Sequence, residues 1–195
     1  MSVLSRREAT SLVQRTTTQE KILDAAVTLL DSGGAFAEIT VGAIAEQASV
    51  SRPTFYAYFR DKRDLVLALG DRFEREAHQA ADDWLSLRAD DLEAALVGVL
   101  ESFRAQQGAL KAITEAAGYD SEVAAFWRAF HERFIVGVAG RARREDPSRA
   151  EQELQAEAFA LVWMTERCFT EHLEAPRVSD DALIRALVRL WHSTF

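Results

Sequence analysis

The stretch Thr40-Val41-Gly42-Ala43-Ile44-Ala45-Glu46-Gln47-Ala48-Ser49-Val50-Ser51-Arg52-Pro53-Thr54-Phe55-Tyr56-Ala57-Tyr58-Phe59 holds two short runs of helical periodicity with a two-residue break between them. Thr40 is suited to cap the first run, because its hydroxyl can accept from a backbone amide of the first helical turn. Ile44, Ala45 and Ala48 give that helix a narrow apolar face that permits a close crossing. Ser49-Val50 makes the turn, with Val50 placed to plug the angle between the helices. Ser51 caps the second run, and Pro53 falls in its first turn, where the missing N–H is not needed. Two short helices joined so briefly have the geometry of a helix-turn-helix, whose second helix enters the major groove of DNA.

The second helix has an unusual surface for a purely structural element. Phe55 and Phe59, four residues apart, face inward and leave Arg52, Thr54, Tyr56 and Tyr58 to project outward or sideways. An arginine can bridge the two acceptors of a guanine, while threonine and tyrosine hydroxyls donate to phosphate. Both tyrosines could equally cover the edges of the core. Asp61 reads as the cap of the next helix, which puts Lys62 at that helix's positive end at a cost of roughly 0.3–1 kcal/mol. A nearby phosphate would reverse the sign, and a solvated lysine that tolerates the cost fits as well.

Charge is distributed unevenly around this stretch. The formal net charge is −8, which argues against a general coat for nucleic acid, since such binding rests on neutralising phosphates. Residues 1–70 hold eight basic and eight acidic side chains, so the deficit falls on residues 71–195, with fifteen against twenty-three. Within Ser51–Arg63, Arg52, Arg60, Lys62 and Arg63 face Asp61 alone, which predicts a local basic surface on an otherwise acidic chain.

Outward from the turn the pattern stays helical, and the chain reads as an all-α protein of about nine helices. Helix one is predicted over Gln19–Ser32, ending at Gly33-Gly34, where positive φ is available. Helices two and three cover Thr40–Ala48 and Ser51–Tyr58, and helix four runs from Asp61 to Leu85. Five more are predicted over Asp91–Gln107, Ala109–Ala117, Ser121–Arg144, Ala150–Leu173 and Ser179–Ser193. Gly108, Gly118-Tyr119-Asp120, Asp146-Pro147 and Ala175-Pro176 separate them, and Ser121 and Ser179 are candidate N-caps. Residues 1–17 lack apolar periodicity and read as a flexible, mildly basic arm. The expected domains are a three-helix DNA-binding unit over 18–64 and a larger helical unit over 65–195.

A chain of 195 residues with 48% apolar content can bury a substantial core. No signal-peptide pattern opens it, and no run approaches the roughly 18 apolar residues of a membrane span. Cys168 is the single cysteine, so no intrachain disulfide can form and a reducing cytoplasm fits. None of His78, His131, His172 and His192 follows a glutamate by three residues, and no phosphate loop, zinc-protease motif or nucleophile elbow is present. No catalytic residue, metal ligand or cofactor is expected.

The run Ile22–Leu69, from the first helix through Ile39–Ala45 and Val50–Phe59 to Asp61-Lys62, resembles the DNA-binding domain of TetR-family repressors. That resemblance implies phosphate contacts from Thr40, Ser51, Tyr56 and Lys62, and approach to bases by Arg52, Thr54 and Tyr58. Ser49 stands where the family usually has glycine. Gly42 stands where many relatives have a larger or basic side chain, which leaves the contacts of helix two open. The later motifs Phe126–Phe130, Met164–Arg167 and Leu190–Ser193 resemble the EthR-type subgroup, and this implies a long apolar tunnel for a lipophilic ligand.

Residues placed to line such a tunnel are Leu92, Leu96, Val99 and Phe103 on helix five and Trp127, Phe130, His131, Phe134 and Val138 on helix seven. Helix eight adds Val162, Thr165, Glu166 and Phe169, and Trp191 closes one end. An ordinary packed core explains an aromatic stripe at helical spacing equally well. Helix nine spreads Leu183, Ile184, Leu187, Val188, Leu190 and Trp191 over more surface than one buried stripe needs, which predicts a homodimer through helices eight and nine. The expected partners are double-stranded operator DNA, read as a palindrome, and a small apolar effector. A helical ligand-binding protein that has lost operator recognition is the alternative.

Overall fold

The computed structural model describes the backbone of residues 3–194 and the side chains of residues 16–194. Among the described residues it has nine helices and no strand: α1 (Val3–Asp31), α2 (Val41–Gln47), α3 (Arg52–Tyr58), α4 (Lys62–Leu85), α5 (Leu92–Ala105), α6 (Gln107–Ala117), α7 (Ser121–Glu145), α8 (Glu151–Glu174) and α9 (Asp180–His192). Every helix end agrees with the sequence pattern to within two residues except the start of α1. That helix runs back to Val3, through the segment where the pattern predicts an arm; Met1 and Ser2 lie outside the described residues. Residues 3–18 contain neither glycine nor proline, the residues least compatible with a helix interior.

Side-chain caps fix most of the helix starts. Thr40 accepts from the Ala43 amide, Ser51 from Thr54, Asp61 from Asp64, Asp91 from Ala94 and Ser179 from Ala182. For α7 the expected cap Ser121 is corrected. Asp120 Oδ1 accepts from the amides of Glu122 and Val123, at 2.9 and 3.2 Å, and Ser121 lies within the helix. One carboxylate oxygen reaches two free amides of the first turn, which Ser121, itself the first helical residue, is one position too late to cap.

The chain forms two compact units, Met1–Gly70 with Gly108–Val123, and Asp71–Gln107 with Ala124–Phe195. The first unit therefore takes in α6 and the turn after it, which the sequence pattern had left with the larger domain. Its core includes Ile22, Leu23, Ala26, Ile44, Phe55, Phe59, Leu65, Leu69 and Ile113, each no more than 2% exposed. Phe55 and Phe59 pack with tilted rings 5.5 Å apart between centroids, and a fully buried ring contributes about 1.5–3 kcal/mol. At the start of α6 a Cβ on Gly108 would lie 2.6 Å from Asp31 Oδ1 and 2.9 Å from Leu30 Cβ, so α6 and the end of α1 approach as closely as glycine allows.

The second unit is organised around aromatic rings. Phe73 packs against Phe103 and Phe130 at 4.9 and 5.2 Å, Phe103 meets Phe169 at 5.8 Å, and Trp84 meets Trp191 edge to face at 5.5 Å. Arg141 is buried and ties this unit's loops to α7. It donates to the carbonyls of Trp84 and Ala89, pairs with Asp90 and Glu145, and lies 4.4 Å over the Trp84 ring. No helix among the described residues is long and apolar enough to cross a membrane.

A candidate DNA-reading surface and an apolar cavity

In the first unit the turn between α2 and α3 is closed by backbone bonds from Ser49 to Glu46 and from Val50 to Ala45, at 3.0 and 2.9 Å. Ser49 takes φ +55°, a left-handed conformation that favours glycine, so the family's usual glycine has a direct geometric reason. Ser51 Oγ accepts from the Thr54 amide at 3.1 Å and shares a hydrogen bond with Thr54 Oγ1 at 2.8 Å. α3 then turns Phe55 and Phe59 inward and leaves Arg52 and Tyr56 in solvent. Tyr56 is 54% exposed, which is more than covering a core edge requires. Thr40 and Ser51 are exposed, whereas Thr54, Tyr58 and Lys62 are half-buried.

Gly42 and Arg52 turn out to be spatially coupled. A Cβ built on Gly42 would lie 3.1 Å from both Cζ and Nε of Arg52, and closer still to Nη2. The space left by the missing side chain on α2 is thus filled by the guanidinium that begins α3. Glycine within a helix costs up to about 1 kcal/mol relative to alanine, and here it makes room for that group.

The expected basic surface needs correction, because three of its four cations have partners in the same unit. Arg60 grips Asp64 at 2.6 and 2.7 Å, and Arg63 pairs with Asp120 at 2.6 Å and Glu122 at 3.4 Å. These contacts hold the Asp64 and Asp120 carboxyls below their ordinary range. Lys62 Nζ donates to the carbonyls of Phe36 and Ala37 and sits 4.5 Å over the Phe36 ring, and burial pushes its pKa down. A phosphate contact from Lys62 requires it to leave those carbonyls. Among the described residues Arg52 forms no ion pair. Local sequence counted only Asp61 because Asp120 and Glu122 are brought in from more than fifty positions away.

The second unit contains an apolar cavity of about 70 Å³. Its wall includes twelve of the fourteen residues expected there: Leu92, Leu96, Val99, Phe103, Phe130, Phe134, Val138, Val162, Thr165, Glu166, Phe169 and Trp191. Trp127 and His131 are the exceptions. Trp127 precedes Phe134 by two turns, roughly 10 Å along α7, and is taken up by a flat stack on Phe130 at 4.9 Å. His131 sits about 60° round the helix from the Phe130–Phe134–Val138 row, stacked on Trp163 at 3.7 Å. Sequence reasoning missed Ala95 on α5 and Ala81, Trp84 and Leu85 on α4. Ala81, Trp84 and Leu85 stand at i, i+3 and i+4, a spacing that marks one face of α4 as apolar.

Polar groups on the wall are few. Thr165 Oγ1 accepts from Trp191 Nε1 at 3.0 Å. Glu166 Oε1 accepts from Thr170 at 2.7 Å, and its Oε2 lies 3.7 Å from His131 Nε2, a buried nitrogen that finds no hydrogen bond. His131 Nδ1 is 2.8 Å from the Trp127 carbonyl. Beside this cavity lies a more polar one of about 260 Å³, walled by Asp90, Arg141, Glu145 and His192, and Trp84, Leu92 and Trp191 belong to both walls. No cluster able to hold a metal ion occurs among the described residues.

Two family patterns match the chain: bacterial regulatory proteins of the tetR family over residues 22–69, and the C-terminal domain of the transcriptional regulator EthR over residues 92–195. The HTH-type transcriptional regulator EthR of Mycolicibacterium smegmatis is 31% identical over 165 residues, covering 80% of this chain and 76% of that protein. Its Mycobacterium tuberculosis counterpart is 33% identical with the same coverage. A TetR-like transcriptional regulator from Rhodococcus sp. superimposes with a TM-score of 0.67 at 26% identity, over 90% of this chain and 93% of that one. A TetR-family regulator structure from Syntrophomonas wolfei shares the fold, with a TM-score of 0.73 at 15% identity over 92% and 95% of the two chains. Family and relatives are transcriptional regulators, not enzymes. The chain belongs to the TetR family, as a transcriptional regulator with a helix-turn-helix DNA-binding domain and an EthR-type C-terminal domain.

Proposed function

We propose that the protein is a cytoplasmic repressor that binds a palindromic operator as a homodimer and changes its DNA affinity when a small lipophilic molecule enters the second unit. The observation that carries this reading is the surface of α3, where Arg52 and Tyr56 stand in solvent on a helix whose other face is locked into the core. Arg52, Thr54 and Tyr58 are assigned to bases, and Thr40, Ser51, Tyr56 and Lys62 to phosphates. The predominantly apolar cavity wall supports an uncharged ligand, since an unpaired ion there would be strongly disfavoured. A cavity of about 70 Å³ is well below the roughly 300–1,000 Å³ of a typical ligand pocket, so the wall must open to admit one. The ligand acts through its differential affinity for the two states.

Dimerisation through α8 and α9 is supported by Phe159 and Leu190, which are 56% and 48% exposed while Ile184, Leu187 and Trp191 point inward. Selection of binding sites from random duplex DNA, followed by mobility shift with and without neutral lipophiles, tests the whole reading. An enriched palindrome whose complex weakens or strengthens with a lipophile supports it, and recovery of random sequence defeats it. The second reading, a ligand-binding protein without operator recognition, draws on the internal pairing of Arg60 and Arg63 and on the Lys62 contacts, which leave little free positive charge beside α3.

A further inference from the structure

The loop between α1 and α2 is held from two sides. Glu115 of α6 accepts from the Phe36 amide through Oε2 and from the Ala37 amide through Oε1, both at 2.8 Å. Lys62 of α4 takes the carbonyls of the same two residues. Both amides and both carbonyls of one dipeptide are thus bound by an acid and a base from two other helices, and the Phe36 side chain beneath is 4% exposed. Hydrogen bonds to a charged partner are the strong ones, and two from one carboxylate fix orientation as well as distance.

That dipeptide lies three residues before Thr40, the cap of α2, and α2 is joined to α3 by the closed turn at Ser49-Val50. Whatever holds residues 36 and 37 therefore sets where α2 and α3 begin. We infer that Glu115 is a positioning residue for DNA reading: its carboxylate holds the α1–α2 loop so that α3 presents Arg52 and Tyr56 in one attitude, without touching DNA itself. The inference rests on the helix-turn-helix reading proposed above. It also gives α6 a role. Gly108–Val123 belongs to the DNA-reading unit, while the chain on either side of it belongs to the other. Gly108 against Leu30 and Asp31, Glu115 on the loop, and Asp120 on Arg63 are three fastenings of that inserted segment.

The test uses the full-length protein, a duplex that the wild type selects from a random library, and a scrambled duplex of equal length. Glu115→Ala should raise hydrogen exchange at the Phe36 and Ala37 amides and weaken the selected duplex about tenfold, with the scrambled duplex and the salt dependence unchanged. Glu115→Gln should fall between, since one amide oxygen can serve only part of the pair. A purely structural role would lower the active fraction, shifting both duplexes equally and leaving their affinity ratio at the wild-type value. That outcome, or unchanged exchange at residues 36 and 37, overturns the positioning role alone. A wild type that selects no sequence removes operator reading and the positioning role together.

Discussion

Around the turn of the first unit many polar side chains tie down backbone: Thr40, Ser51 and Asp61 cap helices, Glu115 and Lys62 hold a loop, and Asp64 receives the amide of Arg60 together with its guanidinium. Around the cavity of the second unit the opposite holds. Thr165 and Glu166 are the polar members of a wall otherwise built from rings and aliphatic chains. Directional bonds hold one arrangement and fail when displaced, whereas packed apolar groups can trade one arrangement for another of similar energy. The bonds of the first unit favour one fixed surface, and on the proposed reading the apolar wall of the second is the part that gives way.

The hardest test of this contrast is Phe55→Ala. Loss of a fully buried ring should cost about 3–5 kcal/mol, abolishing sequence-specific DNA binding while ligand-induced thermal shifts of the second unit persist. Fluorescence of the tryptophans, all four of which lie in the second unit, follows that unit alone in a denaturant titration; a tryptophan midpoint lowered in Phe55→Ala as far as that of the overall helical signal would show that the units do not answer separately.

Thr165→Val asks whether the sparse polar groups of the cavity matter as much as those of the turn. It removes the Thr165 hydroxyl that accepts from Trp191 Nε1 at 3.0 Å, and a loss of about 0.5–1.5 kcal/mol is expected in chemical denaturation. No loss would mean that packing alone holds this wall.

Arg52→Ala should relax operator preference by about 1–3 kcal/mol at one base pair per half-site, read by competition against mutated duplexes. Gly42→Ala, which pushes the guanidinium aside, should alter preference at the same base pair and do nothing further in the Arg52→Ala background. Additive effects would separate the two positions.

The smallest effect is a pH dependence in the second unit. Burial holds His78 below the ordinary histidine value of 6.5, against Phe134 at 4.0 Å. Below pH 6.5 the unfolded chain takes up a proton that the folded one resists, so stability should decline as pH falls from 6.5 toward the lowered value and stay flat above it. Melting temperatures of wild type and His78→Phe across that window measure the difference, which should vanish in the variant.

The same contrast explains what could be read in advance. Caps and turns are local: Thr40, Ser51, Asp61 and Ser179 each bond within three residues of themselves, so their roles follow from adjacent sequence. Ion pairs need not be local, and the partners of Arg63 lie more than fifty positions away from it. Helical periodicity gives the face of α7 but not the position of a void along it, so Trp127 fell beyond the cavity while sharing the azimuth of Phe134. At the start of α7 the sequence offers Ser121 as the cap, and only the geometry shows that Asp120, one residue earlier, reaches the amides of Glu122 and Val123.

On the proposed reading the narrow cavity has a quantitative consequence for gene control. If the form open enough for an effector is one molecule in about a hundred, the apparent dissociation constant is about a hundredfold weaker than the intrinsic one. The dose at which a gene switches would then be set by the rarity of the open form as much as by the fit of the molecule that fills it. Substitutions around Phe134 or Trp84 that never touch the effector would slide that threshold up or down, which would let the chain be retuned to a new effector concentration while keeping the same effector.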